Sequence, residues 1–179
     1  MEFVVAEKRL CFAALLETMF KSFGVERLSQ LDIAEYLGVT LPSNDLLLRK
    51  IENVKLSDNP YDWGMNPNHK ELETLLLKEG INIEFQYIPA KSQEDWSFED
   101  WIRTEINSSN IICTLEYNTT FDIADKNLYG HAILLNRVDG EAVEIFDPGP
   151  ENAGIKKVPF YELFVASKRM NGGLWIFKR

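Results

Sequence analysis

The chain has 179 residues, 45% of them hydrophobic, with a formal net charge of −9 and a sequence pI near 4.8. That is material for one well-buried core and hardly for two, so a single domain over 1–179 is expected. The acidic balance excludes nucleic acid as a partner, which would need a clustered positive surface, and no apolar run reaches the roughly 18 residues of a membrane span.

Residues 1–10 mix Glu2, Glu7, Lys8 and Arg9 with short apolar pieces, unlike a signal peptide, so a cytoplasmic protein is expected. In that compartment Cys11 and Cys113 are not expected to form a disulfide. Residues 12–23 place Leu15, Leu16, Met19, Phe20 and Phe23 at helical spacing, with Gly24 where a left-handed cap would stand. This predicts a buried helix beginning at Cys11. Ser29 with Asp32 predicts a capped helix through Leu37 closed by Gly38, and Ser43 is read as the cap of another helix over 45–54. Residues 56–67, with Asp58, Asn59, Pro60, Gly64 and Pro67, favour a surface loop.

From position 67, Leu72, Leu75 and Leu76 followed by Gly80 predict a helix, and alternation over 81–88 predicts a half-buried strand. A helix over 97–106 capped by Ser97 and carrying Trp101, a strand over 111–117 and a polar loop over 118–127 come next. Apolar runs at 131–138 and 142–146 are separated by Asp139-Gly140, a strong hairpin signal. A helix after Pro159 and a closing strand over 174–177, preceded by Gly172-Gly173, complete the chain. Helices first and antiparallel strands later predict an α+β fold. Asn107-Ser-Ser and Asn118-Thr-Thr match the glycosylation pattern but are read as chance without an export signal.

A thiol at a helix N-terminus meets the positive end of the dipole, which favours thiolate, and its backbone N–H lies where an oxyanion would form on an attacked carbonyl. Cys11 has that position, although a small buried hydrophobe would sit there equally well. His131 follows Gly130 at a strand start, where it can act as a base or fill a structural place. Asp147 lies sixteen residues downstream. Antiparallel return through the Asp139-Gly140 turn brings it beside His131, where a carboxylate would orient the ring. Its place before Pro148 also suits a simple turn.

These residues resemble the papain-like C39 peptidases and their non-transporter relatives. The likeness rests on Leu-Cys11-Phe-Ala-Ala-Leu-Leu, Tyr-Gly-His131-Ala-Ile-Leu-Leu and Ile-Phe-Asp147-Pro-Gly, with the helix ending at Leu37-Gly38, the helix from Leu72 to Gly80 and the terminal Gly-Gly-Leu-Trp-Ile in the family's order. The resemblance implies a papain-like fold, with N-terminal helices carrying the nucleophile packed on a C-terminal antiparallel sheet. It also implies catalytic roles for Cys11, His131 and Asp147, no cofactor or metal, and a peptide or protein as substrate. Two positions depart from the family. Val5 stands where a glutamine donates to the oxyanion, with Lys8 or a backbone amide as replacements, and Phe12-Ala13 stands where Gly-Pro is usual.

The reading that follows is a cysteine hydrolase cleaving a peptide or other amide. An acyltransferase with the same triad, and a degenerate domain binding a peptide without turnover, are the alternatives. His69 is read as a solvated helix residue, Cys113 as core, and Trp96 and Trp101, in a segment with Glu94, Asp95, Glu99 and Asp100, as either a partner-binding surface or, the commoner case, a helix burying one aromatic face. Tyr129 is placed either at the cleft or over a sheet edge. Oligomeric state is open.

Overall fold

The computed structural model describes residues 2–66, 68–117 and 130–179 and separates them into two compact units. One comprises the described residues of 1–83 together with 148–151; the other comprises those of 84–147 and 152–179. Helices and an antiparallel sheet make the fold α+β.

The first unit opens with α1 (Cys11–Ser22), buried on every face from Phe12 to Phe20. It ends in a Schellman arrangement: Gly24 takes φ +79°, its N–H donates to Lys21 C=O, and Val25 N–H donates to Phe20 C=O. Helix α2 (Gln30–Leu37) begins with a reciprocal capping box between Ser29 and Asp32. Its first amide, Gln30 N–H, donates to the Glu17 carboxylate of α1 at 2.6 Å. Thus a nearly buried acid of α1 serves the positive end of α2.

Strand β1 (Val39–Leu41) pairs in parallel with β2 (Val54–Leu56), two short strands that the sequence pattern did not reveal. The helix expected over 45–54 does not form. Asp45 rather than Ser43 caps a single 3₁₀ turn, Leu46–Arg49, by accepting from Leu47 N–H. The Glu35 carboxylate then takes Glu52 N–H at 2.6 Å, removing a donor that a continuing helix would need. Leu46 is left 71% exposed, whereas Leu47 is buried. After a 3₁₀ turn at Pro60–Asp62, α3 (His69–Lys78) starts from the Asn68 cap and closes on Gly80 with Ile81 N–H donating to Leu76 C=O.

The second unit is a six-stranded antiparallel sheet built from β3 (Glu84–Pro89), β4 (Asn110–Glu116), β5 (Gly130–Asp139), β6 (Ala142–Asp147), β7 (Gly154–Pro159) and β8 (Gly173–Lys178). Its order is β3-β8-β4-β5-β6-β7. Helices α4 (Asp95–Glu105) and α5 (Phe160–Arg169) pack with one face of it, around Phe98, Ile102, Leu163, Ile133, Ile145 and Leu174. On the other face Phe85, Tyr87, Trp175 and Phe177 form a row of ring contacts. Gly172 and Gly173 have no room for a side chain: a Cβ would lie 2.0 Å from Thr114 C=O at the first and 2.2 Å from Ile88 C=O at the second.

Three local readings are corrected. Helix α4 starts at Asp95, and Ser97 bonds the Gln93 side chain from within the first turn instead of capping it. Strand β3 starts at Glu84, three residues later than expected. The β5–β6 turn is Gly140-Glu141, since Asp139 already pairs with Ala142. The loop expected over 118–127 lies outside the described residues. Among the described residues no helix is long and apolar enough to cross a membrane.

Candidate active site

Cys11 is the first residue of α1 and is partly exposed. Leu10 offers no side-chain cap and the first turn holds no acid, so no carboxylate of that turn offsets the positive helix end at the thiol. Two residues earlier Arg9 takes φ +72°, a conformation that costs a non-glycine residue of the order of 1–3 kcal/mol. Its side chain is held on two sides. The guanidinium bonds Asp45 at 2.7 Å and lies 4.2 Å from the centre of the Trp63 ring. Burial alone would push the Asp45 carboxyl up, but the Leu47 amide and the Arg9 guanidinium outweigh it and hold the group below its usual value. The backbone before Cys11 is therefore fixed by the chain between β1 and α3.

The segment upstream is fixed as well. The Gln30 side chain accepts from Glu7 N–H at 2.8 Å and donates to Val5 C=O at 3.1 Å, while Val4 N–H donates to Thr18 and Ala6 N–H to Pro148 C=O at 2.7 Å. The Val5 side chain is half exposed and has no donor to offer. Lys8 is exposed.

In the second unit the structure brings His131 and Asp147 together. His131 Nε2 lies 2.7 Å from Asp147 Oδ1, with the carboxylate fully buried and the imidazole 11% exposed. The contact depends on a β-bulge. Strands β5 and β6 pair Asp139 with Ala142 and Arg137 with Glu144, then Leu135 with Ile145, so Asn136 is one extra residue. Were Asn136 paired in regular register instead of bulged, Asp147 would fall opposite Leu134 and point to the other face from His131. With it, the register carried one residue past Leu134–Phe146 puts Asp147 opposite Ile133, on the face of His131 and diagonal to it. Glu144 holds the bulge by accepting from Asn136 Nδ2 at 2.6 Å and from Arg137 at 2.9 Å.

Two neighbours were not anticipated in these roles. Lys156 of β7 bonds Asp147 Oδ2 at 2.5 Å. Tyr117, just beyond β4, sets its ring edge-on to His131 with centroids 4.6 Å apart, and its hydroxyl accepts from Asn152 at 3.0 Å. A lysine on an edge strand is usually a guard against strand pairing, so the sequence carries no signal that Lys156 turns inward.

The other candidates fall elsewhere. His69 is the exposed first residue of α3. Cys113 is fully buried, its sulfur 3.2 Å from Ser167 Oγ, and burial pushes the thiol up to about 12. Trp96 is 70% exposed, whereas Trp101 packs against the core. Tyr129 lies outside the described residues. Neither cysteine is in a disulfide. Among the described residues no group of three or more His, Cys, Asp or Glu side chains is arranged to hold a metal.

No family model and no curated protein matches the sequence. The fold, however, has a solved counterpart, a crystal structure of a "putative C39-like peptidase from Bacillus anthracis", at TM-score 0.62 and 15% identity, covering 99% of this chain and 94% of that one. At that identity the likeness establishes a relationship of fold.

Proposed function

We propose that the chain is a papain-type cysteine hydrolase, a single catalytic domain over 1–179, in which Cys11, His131 and Asp147 act on a peptide or other amide. The observation that carries the reading is the buried Asp147 carboxylate on His131 Nε2. It would hold one ring nitrogen and assign Nδ1 to exchange protons with the thiol. The position of Cys11 at the tip of a buried helix, and the fold shared with a peptidase-like structure, support it further.

In this mechanism His131 takes the Cys11 proton as the sulfur attacks the carbonyl carbon. The oxyanion forms against the Cys11 N–H, and the C–N bond breaks as the imidazolium protonates the departing amine. Water then attacks the thioester with His131 as base, the C–S bond breaks, and the carboxylic acid leaves as the thiol is restored. The missing donor at Val5 favours a slow enzyme, since loss of one oxyanion donor typically costs about 10²–10³ in turnover. The same position supports the second reading, a domain that binds peptides without cleaving them.

The test is alkylation of the folded protein with chloroacetamide at neutral pH, followed by intact mass. One adduct is expected, absent from Cys11→Ala, while Cys113 reacts only after denaturation. No adduct on the native protein would overturn the assignment.

A further inference from the structure

We propose that Lys156 is a positioning residue for the candidate site: its ammonium holds the second oxygen of Asp147 and divides the carboxylate charge, so that His131 is oriented without being locked in its protonated form. The inference rests on the reading of His131 as the base. It starts from a buried anion that His131 Nε2 meets at 2.7 Å on Oδ1 and Lys156 Nζ at 2.5 Å on Oδ2.

The sheet register builds this arrangement. Strand β7 pairs Gly154 with Asp147 and Lys156 with Ile145, so the residue opposite the carboxylate has no side chain and the diagonal lysine reaches across the space it leaves. Lys157 alternates to the other face and pairs with Asp139 in the open, where an edge-strand lysine ordinarily sits. Lys156 differs because it ends on an acid with no solvent exposure.

The charge of this partner matters to the imidazole. A lone buried carboxylate strongly favours imidazolium, and a base held protonated cannot accept from a thiol or from water. A cation on the opposite oxygen weakens that pull while leaving the hydrogen bond that aligns the ring. Among the described residues of this unit, titratable groups that face the Asp147 carboxylate or the His131 ring include Lys156 from β7 and the Tyr117 phenol. Glu116 and Glu144 alternate to the opposite face of the sheet. The last turn of α5, which reaches Gly130 through Met170, carries Lys168, set over the Phe164 ring, and the exposed Arg169.

The experiment is an NMR titration of both histidines in a Cys11→Ala background, with exposed His69 as internal reference. Lys156→Met is expected to raise the His131 midpoint by about one pH unit or more, as expected for removing a unit charge a few ångströms away. Lys156→Arg should restore it to within about 0.3 unit, with His69 unmoved throughout. If Lys156→Met does not fold, Lys156→Gln is read by the same criterion. A His131 midpoint that stays within 0.3 unit in the neutral variant would overturn the proposal. Because these proteins lack the thiol, that outcome concerns Lys156 alone, whereas failure of Cys11 to alkylate would strike the catalytic reading.

Discussion

The wholly buried Asp147 carboxylate meets His131 Nε2 at 2.7 Å through one oxygen and Lys156 Nζ at 2.5 Å through the other. The hairpin return suggested that His131 and Asp147 would meet, and they do, but through a diagonal contact that requires Asn136 to bulge out of register. Lys156 was illegible because its spacing and neighbours are those of any exposed edge lysine. The residue-scale prediction is that Asp147→Asn, which keeps the shape of the side chain and removes its charge, slows alkylation of Cys11 by at least about tenfold near pH 7. The measurement is the pseudo-first-order rate of chloroacetamide labelling, and an unchanged rate would detach Asp147 from the site. Cys113 is the internal control, since a buried thiol pushed up to about 12 supplies almost no thiolate to the native protein.

At the scale of elements, those with their own punctuation were legible: α1 with Gly24, α2 with Ser29 and Gly38, and α3 with Gly80 each carry both an apolar stripe and a cap. The short parallel pair β1–β2 and the edge strand β7 were not. Strand β7 holds two lysines between Gly154 and Pro159, a composition that reads as loop, and it becomes a strand because β6 supplies its partner. The 3₁₀ turn at Leu46–Arg49 replaced the expected helix because side chains distant in sequence captured its backbone donors. Deletion of Asn136 is expected to leave the His131–Asp147 contact in place, because it removes the bulged residue while Arg137 stays opposite Glu144 and Leu135 opposite Ile145. The His131 ring resonances should then keep the pH response they have in the undeleted protein, whereas a changed response would show that the bulge itself sets the contact. Gly173→Ala should cost more than about 3 kcal/mol in denaturant unfolding, because the new Cβ would meet backbone, not a movable side chain, 2.2 Å away.

On the scale of the whole molecule, the chain passes between its two units at 83/84, 147/148 and 151/152, so neither is a contiguous segment that could be cut away. Length and composition led to the expectation of one domain, and unfolding followed by Trp63 fluorescence and by near-UV signals of Trp175 should coincide if both units melt together. Acid sensitivity has a named source in the second unit. The Lys178 ammonium beside Glu105, at 2.8 Å, holds that carboxyl below its ordinary value, with Ser109 adding a hydrogen bond against the opposing effect of burial. A depressed folded value means that the stabilisation is complete above the unfolded value near 4.5 and is lost as pH falls through the lower folded one. Glu105→Gln should therefore cost about 0.5–1 kcal/mol at pH 7, a modest figure because Lys178 is half exposed, and the difference from wild type should vanish near pH 3. A difference that persists there would assign the effect to packing.

The central claim is that Cys11 and His131, contributed by different parts of the chain, work as one thiol–imidazole site. The most direct measurement is the pH dependence of the Cys11 alkylation rate in wild type and in His131→Ala. The account predicts half-maximal reactivity in wild type well below the value near 8.5 of an ordinary thiol, and a rise toward it by at least about one unit when the imidazole is removed. Superimposable curves for the two proteins would contradict it.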